Sequence, residues 1–513
     1  MKVKNLLIDR AKSFESKPAI IYRDHAITFS ELLTNVFSLA KGLSKLGIKK
    51  GEKIAIFLPN CPEYIYSYLA LFSLGSVVVP LDFMLSEEEI KVFLEHSDTS
   101  LLIAKNKKGI DYQRIKNSCP CLSTLILIDE KEPVEFPRSS LACFFWKDIA
   151  NEDSTPPEQE ISDEEHAAIF YTSGSTGHPK GVLLTYGHLD NPVRVITHFL
   201  HPTDEDSYLC AGVPFSHIGG LDYMLFMLAF GATLILMDRF HPLEALKAIE
   251  KYKARIFCIV PSMFVAILSL KECDKFDLSS LRYAVVFGAP SSPALLKRFH
   301  DLCSKASLRN GWGMTETSAP NTYSPHDVKK IHSIGPFGTG MEARIVDEYG
   351  QDVAEGERGE LWIRGKGVMV GYYKEEALTK EVLTPDGWLK TGDIARKDED
   401  GLYYLMGRKK DMIKVAGEIV FAPDVENFLH RHPKVKDVAI VGIPDEMRGE
   451  VPKAYVVVRE GENIDVDDLR QYCRENLAHF KIPHHFEFCE SLPKNRVGKI
   501  DKEALKKVVK RRG

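Results

Sequence analysis

Cysteine is sparse in this chain: ten residues in 513, with Cys119 and Cys121 as the only close pair. No second Cys/His pair stands at zinc spacing, so a structural zinc site is not expected and a reduced, cytoplasmic interior is. A charge surplus is also missing. Lys and Arg number 67 against 72 Asp and Glu, a net charge of −5, which carries no nucleic-acid signature. Long apolar runs are absent too. The greasiest stretch, "YSYLALFSLGSVVVPLDFML", is broken by Ser73, Gly75, Ser76, Pro80 and Asp82. It reads as a helix, a turn and a buried strand rather than a membrane span. The opening "MKVKNLLIDRAKSF" lacks the apolar core of a signal peptide and reads as a short amphipathic helix. Repeats and low-complexity tracts are lacking. The basic "KKVVKRR" reads as a solvated helix end, weak support for any peripheral membrane contact.

What is present is the composition of a folded protein, 44% hydrophobic and 27% charged, in a chain too long for one core. Strand-like and helix-like segments alternate through the first 400 or so residues: "KIAIFLP", "PEYIYSYLALFSLG", "SVVVPLD", then "ATLILMD", "HPLEALKAIEKYK", "ARIFCIVP" and "LRYAVVFGA". That order predicts parallel α/β layers. From about residue 335, "EARIVDEYG", "GELWIRG" and "GLYYLMGR" predict a small antiparallel β unit. After "GRKKD" come helix "PDVENFLHRH", strands "VKDVAIVGI" and "PKAYVVVRE", and helix "VDDLRQYCRENL". The expected organisation is a large domain over 1–408 and a small α+β domain over 409–513. Residues 409–513 hold 21 Lys and Arg against 18 Asp and Glu, and the rest 46 against 54. A basic small domain on an acidic large one suits an anionic ligand, although chance explains it as well.

The stretch "YTSGSTGHPKG", Tyr171 to Gly181, is unlike its apolar flanks. Glycines allow close backbone approach, amides and hydroxyls donate to phosphate oxygens, and a Lys adds mobile charge. It is not a Walker loop, because Lys180 follows Pro179 and precedes Gly181. Nor is it a hydrolase elbow, because position 173 is Ser. Four further segments carry candidate chemistry. "SLRNGWGMTETSAP" offers Glu316 as a Mg²⁺ ligand between Thr315 and Thr317, and Trp312 as a flat face for a base. "WLKTGDIA" offers Asp393 on a tight turn, able to accept from two ribose hydroxyls, "GRKKDMIKVAGE" adds Arg408, and "PKNRVGKIDK" presents Lys499. Alone, each of these is an ordinary surface feature.

Together, in this order, they resemble the adenylate-forming superfamily of acyl-CoA synthetases, firefly-type luciferases and peptide-synthetase adenylation domains. The likeness runs from "ITFSELLTNV" to "VGKIDKEAL". It implies that Thr172, Ser173, Ser175, Thr176 and Lys180 grip the ATP phosphates, with Gly174 and Gly177 letting the loop close. Glu316, with Thr176, would hold Mg²⁺, and Thr315 would reach the α-phosphate. Adenine would lie between "FGAP" (Phe287, Gly288, Ala289, Pro290) and the run Asn310, Gly311, Trp312, Gly313, and Asp393 and Arg408 would hold the ribose. Lys499 would stabilise charge while a carboxylate attacks the α-phosphorus and pyrophosphate leaves. The small domain would then rotate about Lys410, bringing the loop around Gly417 to line a thiol tunnel. The chain departs from its relatives at "GEIVFAPDVE", where the Pro is displaced by one place.

The resemblance places the acyl pocket at "PFSHIGGL", with His217 beside the carboxylate, Gly219 and Gly220 leaving space, and Gly313 and Met314 opposite. A core histidine is the plainer reading of His217. No charged residue precedes Asp222 there to pair an amino acid's ammonium. An apolar acid, a medium- or long-chain fatty acid, is therefore expected, with an aryl acid next. Coenzyme A is the expected acceptor, since no carrier domain follows, against a carrier-protein acceptor or a silent adenylate-binding protein. A monomer or homodimer acting on small molecules is expected.

Overall fold

The computed structural model describes residues 2–129, 141–150, 153–172, 180–288, 291, 293–327, 329–494 and 500–512, with side chains beyond 507 left aside. The expected alternation of strands and helices forms two eight-stranded sheets. In the first, the order is Thr322–Tyr323, Ser307–Trp312, Tyr283–Val286, Ile256–Ile259, Ser207–Ala211, Thr233–Met237, Pro18–Tyr22 and His25–Thr28. The second runs Gly371–Tyr372, Lys180–Thr185, His166–Thr172, Val77–Pro80, Lys53–Phe57, Leu101–Ala104, Thr124–Leu127 and Ala142–Phe145. Both are parallel inside. Antiparallel pairs close both edges of the first sheet and one edge of the second, so the layers are mixed where the sequence predicts parallel ones.

Alternation of side chains across each strand explains the layering. Tyr208 and Cys210 face one core and Leu209 and Ala211 another. The shared core lies between the two sheets and holds the helices Phe29–Lys45, Pro62–Leu74 and Ile218–Phe230. The greasy stretch is buried there. Pro62 opens its helix, Gly75 closes it in the left-handed region at φ +73, and Val77–Pro80 follows as an internal strand. Among the described residues, no helix is long and apolar enough to cross a membrane. The opening residues form the expected helix, Val3–Ser13.

The β unit is a four-stranded antiparallel sheet of Met341–Val346, Arg358–Gly365, Leu389–Lys397 and Tyr403–Arg408. A single turn, Lys409–Asp411, leads into the small C-terminal domain. There a five-stranded sheet carries the helices Ala422–Leu429 and Val466–Asn476 over its own core.

Candidate active site

Strand ends assemble the site. Thr172, Gly288, Trp312 and the segment holding His217 all sit at or just past the carboxyl ends of parallel strands, where open α/β sheets place their ligand crevices. Thr172 and Lys180 are direct cross-strand partners, so they close the hairpin from which the Ser/Thr/Gly stretch springs. Ser173, Gly174, Ser175, Thr176 and Gly177 lie outside the described residues, as do Ala289, Pro290 and Lys499.

A phenol that the sequence reading passed over joins two of the candidates. The short strand Gly371–Tyr372 adds to the edge formed by Lys180–Thr185, pairing Tyr372 with Val182. Its hydroxyl donates to Glu316 Oε1 at 3.0 Å, and Lys180 Nζ lies 5.8 Å from the centre of its ring. Burial first, and the Glu316 charge second, push the Tyr372 phenol well above its ordinary range, so it remains a donor. Glu316 itself rides on the turn Thr315–Thr317 and is only 8% exposed. Asn191 and Asn321 hold that turn from below by donating to the carbonyl of Thr317 at 3.3 and 2.9 Å.

Asp393 sits on a β-bulge, not on the tight turn that "TGD" suggested. Glu360 pairs with Ile394 and Trp362 with Lys390, so Leu361 alone faces Thr391, Gly392 and Asp393. Gly392 takes φ +71, and the Thr391 hydroxyl stitches the bulge by donating to Leu361 O at 2.6 Å and accepting from Asp393 N at 3.0 Å. Bulges re-aim a side chain without ending the strand. Here the carboxylate is turned to meet Arg408 Nε at 2.7 Å and the Trp312 indole N–H at 2.9 Å. Trp312 is buried, edge-on to Phe337. The Asn310 amide donates to Ser333 O at 3.0 Å, a structural bond. Gly311 lets the Phe287 ring close over the strand, since a Cβ would stand 2.0 Å from it. Gly313 packs on Ala319 in the same way, and Gly288 is exposed.

His217 caps the helix Ile218–Phe230, and its Nε2, 3.6 Å from Asp82 Oδ2, is buried without a hydrogen-bond partner. The two expected pocket glycines differ. Around Gly219 there is nothing within 4 Å of where a Cβ would be, whereas at Gly220 that Cβ would stand 2.2 Å from Pro214 O. Gly220 therefore serves backbone packing and leaves no space for a substrate. Ile218, Cys258, Phe287 and Met314 are all partly exposed around the first sheet's core face. In the small domain, Lys410 lies exposed in the Lys409–Asp411 turn. Gly417 lies at the exposed tip of the hairpin formed by Met412–Val415 and Glu418–Phe421, with open space around it.

A sequence model of the AMP-binding enzyme family matches residues 7–373, and that of the AMP-binding enzyme C-terminal domain matches 424–499. The chain belongs to the AMP-binding enzyme family. Members similar to it include a long-chain-fatty-acid–CoA ligase of Bacillus subtilis (strain 168), 31% identical over 98% of this chain and 94% of its own length. A feruloyl-CoA synthase of an Amycolatopsis species is 34% identical over 98% of both chains. Among solved structures, the o-succinylbenzoate coenzyme A synthetase of Bacillus subtilis, in complex with ATP and magnesium ion, superposes with a TM-score of 0.83 at 28% identity, covering 99% of each chain. As a member of the adenylate-forming group, this enzyme is an AMP-forming acid–CoA ligase that uses ATP with Mg²⁺ and coenzyme A. The residues fit a magnesium ion shared with nucleotide. Among the described residues no three His, Cys, Asp or Glu cluster to cage a metal, while Glu316 is held in place by Tyr372. Mg²⁺ is typically bound by one or two carboxylates plus phosphates and water.

Proposed function

We propose that this family member activates a medium- or long-chain fatty acid as its acyl-adenylate and then passes the acyl group to coenzyme A. The observation that carries the reading is the open space at Gly219, next to Ile218 in the chain, with Ile218, Phe287 and Met314 all partly exposed apolar residues on the same core. An apolar chain gains about 25 cal/mol per Å² by leaving water for such a wall. The resemblance to a long-chain-fatty-acid–CoA ligase supports it.

In the first half-reaction the acid's carboxylate oxygen bonds to the α-phosphorus of ATP and the bond to pyrophosphate breaks. Thr172 and Lys180 sit at the mouth of the hairpin to hold the departing phosphates. Asp393 and Arg408 hold the ribose, with Thr315 beside the α-phosphate. Mg²⁺, held by Glu316 and Thr176, would neutralise phosphate charge. Lys499 stabilises the charge that builds on the α-phosphate. In the second half-reaction the thiol sulfur bonds to the acyl carbon and AMP leaves. The exposed Gly417 hairpin lines the thiol path only after the small domain, 409–513, turns about Lys410 relative to 1–408. The ten free thiols suit a cytoplasmic enzyme.

The test is AMP release from ATP, Mg²⁺ and coenzyme A over a panel from acetate through octanoate and palmitate to benzoate and cinnamate. A maximum among C8–C18 acids is expected. A maximum at an aryl acid would keep the ligase and overturn the substrate, and no AMP with any acid would sink the reading.

A further inference from the structure

A carboxyl group lies in the apolar helix beside the acyl pocket, and the chemistry above does not use it. Asp222 is 6% exposed in the helix Ile218–Phe230, and its Oδ1 is buried with no hydrogen-bond partner. Burial alone pushes this carboxyl well above the usual range, which favours the uncharged acid, the form with an O–H to donate. Leaving such a group unsatisfied costs about 1–3 kcal/mol, and a partner is therefore expected.

Position says where that partner comes from. Ile218 and Gly219 stand four and three residues before Asp222, the spacing that puts all three on one helix face. Gly219 opens on empty space and Ile218 is partly exposed, and Asp222 follows on the same helix face, one turn or about 6 Å beyond Ile218. The first sheet packs against this helix. Cys258 lies mid-sheet yet keeps some reachable surface, and burial followed by the nearby Asp222 pushes its thiol up to about 12. Tyr323 also lies within the electrostatic reach of Asp222. Tyr223 does not supply the missing bond, because its hydroxyl already donates to Cys258 O at 3.0 Å.

We propose that Asp222 is a specificity-determining residue of the acyl pocket, hydrogen-bonding a hydroxyl that the acid carries about one helical turn deeper than its carboxylate. The inference rests on the ligase reading and refines it: the preferred acid is not wholly apolar. A site built around a hydrogen bond rejects the analogue that lacks it more strongly than an apolar pocket rejects a methylene.

The experiment is calorimetric binding of matched acids to the full chain, which needs no turnover. The pairs are hexanoate with 6-hydroxyhexanoate and cinnamate with 4-hydroxycinnamate, tested on the wild type, Asp222→Asn and Asp222→Leu. The hydroxylated member of at least one pair should bind on the order of 10- to 100-fold tighter to the wild type. The preference should persist largely in the Asn variant, which still donates, and vanish in the Leu variant, with Asp222→Ala standing in if Leu does not fold. Equal binding within twofold in both pairs would overturn the proposal and leave an ordered water as the partner of Asp222. A preference that survives in the Leu variant would overturn it, and so would tighter binding of 6-aminohexanoate, which would mean an ionised Asp222. Failure of the ligase reading shows separately, as absence of pyrophosphate exchange with every acid.

Discussion

Replacing Tyr372 by Phe removes one oxygen and tests whether Glu316 is a positioned ligand. In the native protein the phenol donates at 3.0 Å to Oε1 of a carboxylate that is only 8% exposed. A hydrogen bond to a charged group contributes about 1.5–3 kcal/mol. Its loss also frees glutamate rotamers worth up to about 1.5 kcal/mol. Water reaching the carboxylate offsets part of this, leaving a net effect of about 1.4 kcal/mol, a factor of about ten. The assay is pyrophosphate exchange at fixed ATP against a Mg²⁺ titration, with an accepted acid from the panel. The half-saturating Mg²⁺ concentration should rise about tenfold while the rate at saturating Mg²⁺ changes little, the pattern of lost uniform binding. Because the phenol is held well above its ordinary pKa, the effect should not vary between about pH 6 and 9. An unchanged Mg²⁺ requirement in Tyr372→Phe, beside a large change in Glu316→Gln, would refute the positioning role. A lower requirement would mean that the phenol competes with the metal for Oε1.

Lys499→Ala should abolish adenylate formation and spare thioester formation from supplied acyl-adenylate, so equal loss of both half-reactions would remove its assigned role. Gly220→Ala should destabilise the protein by about 3 kcal/mol, because its Cβ would meet Pro214 O at 2.2 Å. Gly219→Ala, facing open space, should melt like the wild type and shift the acid panel towards shorter acids. Thermal melts and the AMP assay separate the two glycines. His188 is half-buried, and that desolvation lowers its pKa to about 4, while its Nδ1 accepts from Thr185 N at 3.0 Å. With the folded pKa below the unfolded value of about 6.5, the unfolded chain binds the extra proton first. Stability should therefore be full above about pH 6.5 and fall towards pH 4, by about 3 kcal/mol at most. Urea midpoints for His188→Gln should show a flatter decline over that window.

The alternation of strand and helix was legible because each element keeps one period over enough residues, as in Pro242–Tyr252 and Thr233–Met237. The Ser/Thr/Gly stretch stands out by composition, and its flanks form a hairpin closed by Thr172 and Lys180. Tyr372 was not. Its strand is two residues long and pairs with Val182, a contact of high sequence separation that no local pattern announces. Asp393 misled for a different reason: a Gly–Asp pair signals a turn whether the chain reverses or merely bulges, and only the facing Leu361 decides between them. Gly219 and Gly220 are adjacent and indistinguishable in sequence. Helical geometry sends one towards open space and the other against the backbone of Pro214.

Asp393 has one more consequence. Its carboxylate is fastened to the first sheet through Trp312 and to Arg408, the residue that immediately precedes the Lys409–Asp411 turn. A nucleotide that grips this carboxylate shares a partner with the joint between the domains. Linkage of this kind is reciprocal: the factor by which bound nucleotide favours one orientation of the small domain is the factor by which that orientation tightens nucleotide binding. A substitution that stiffens the joint would then be felt as a changed appetite for ATP, although it touches no atom of ATP.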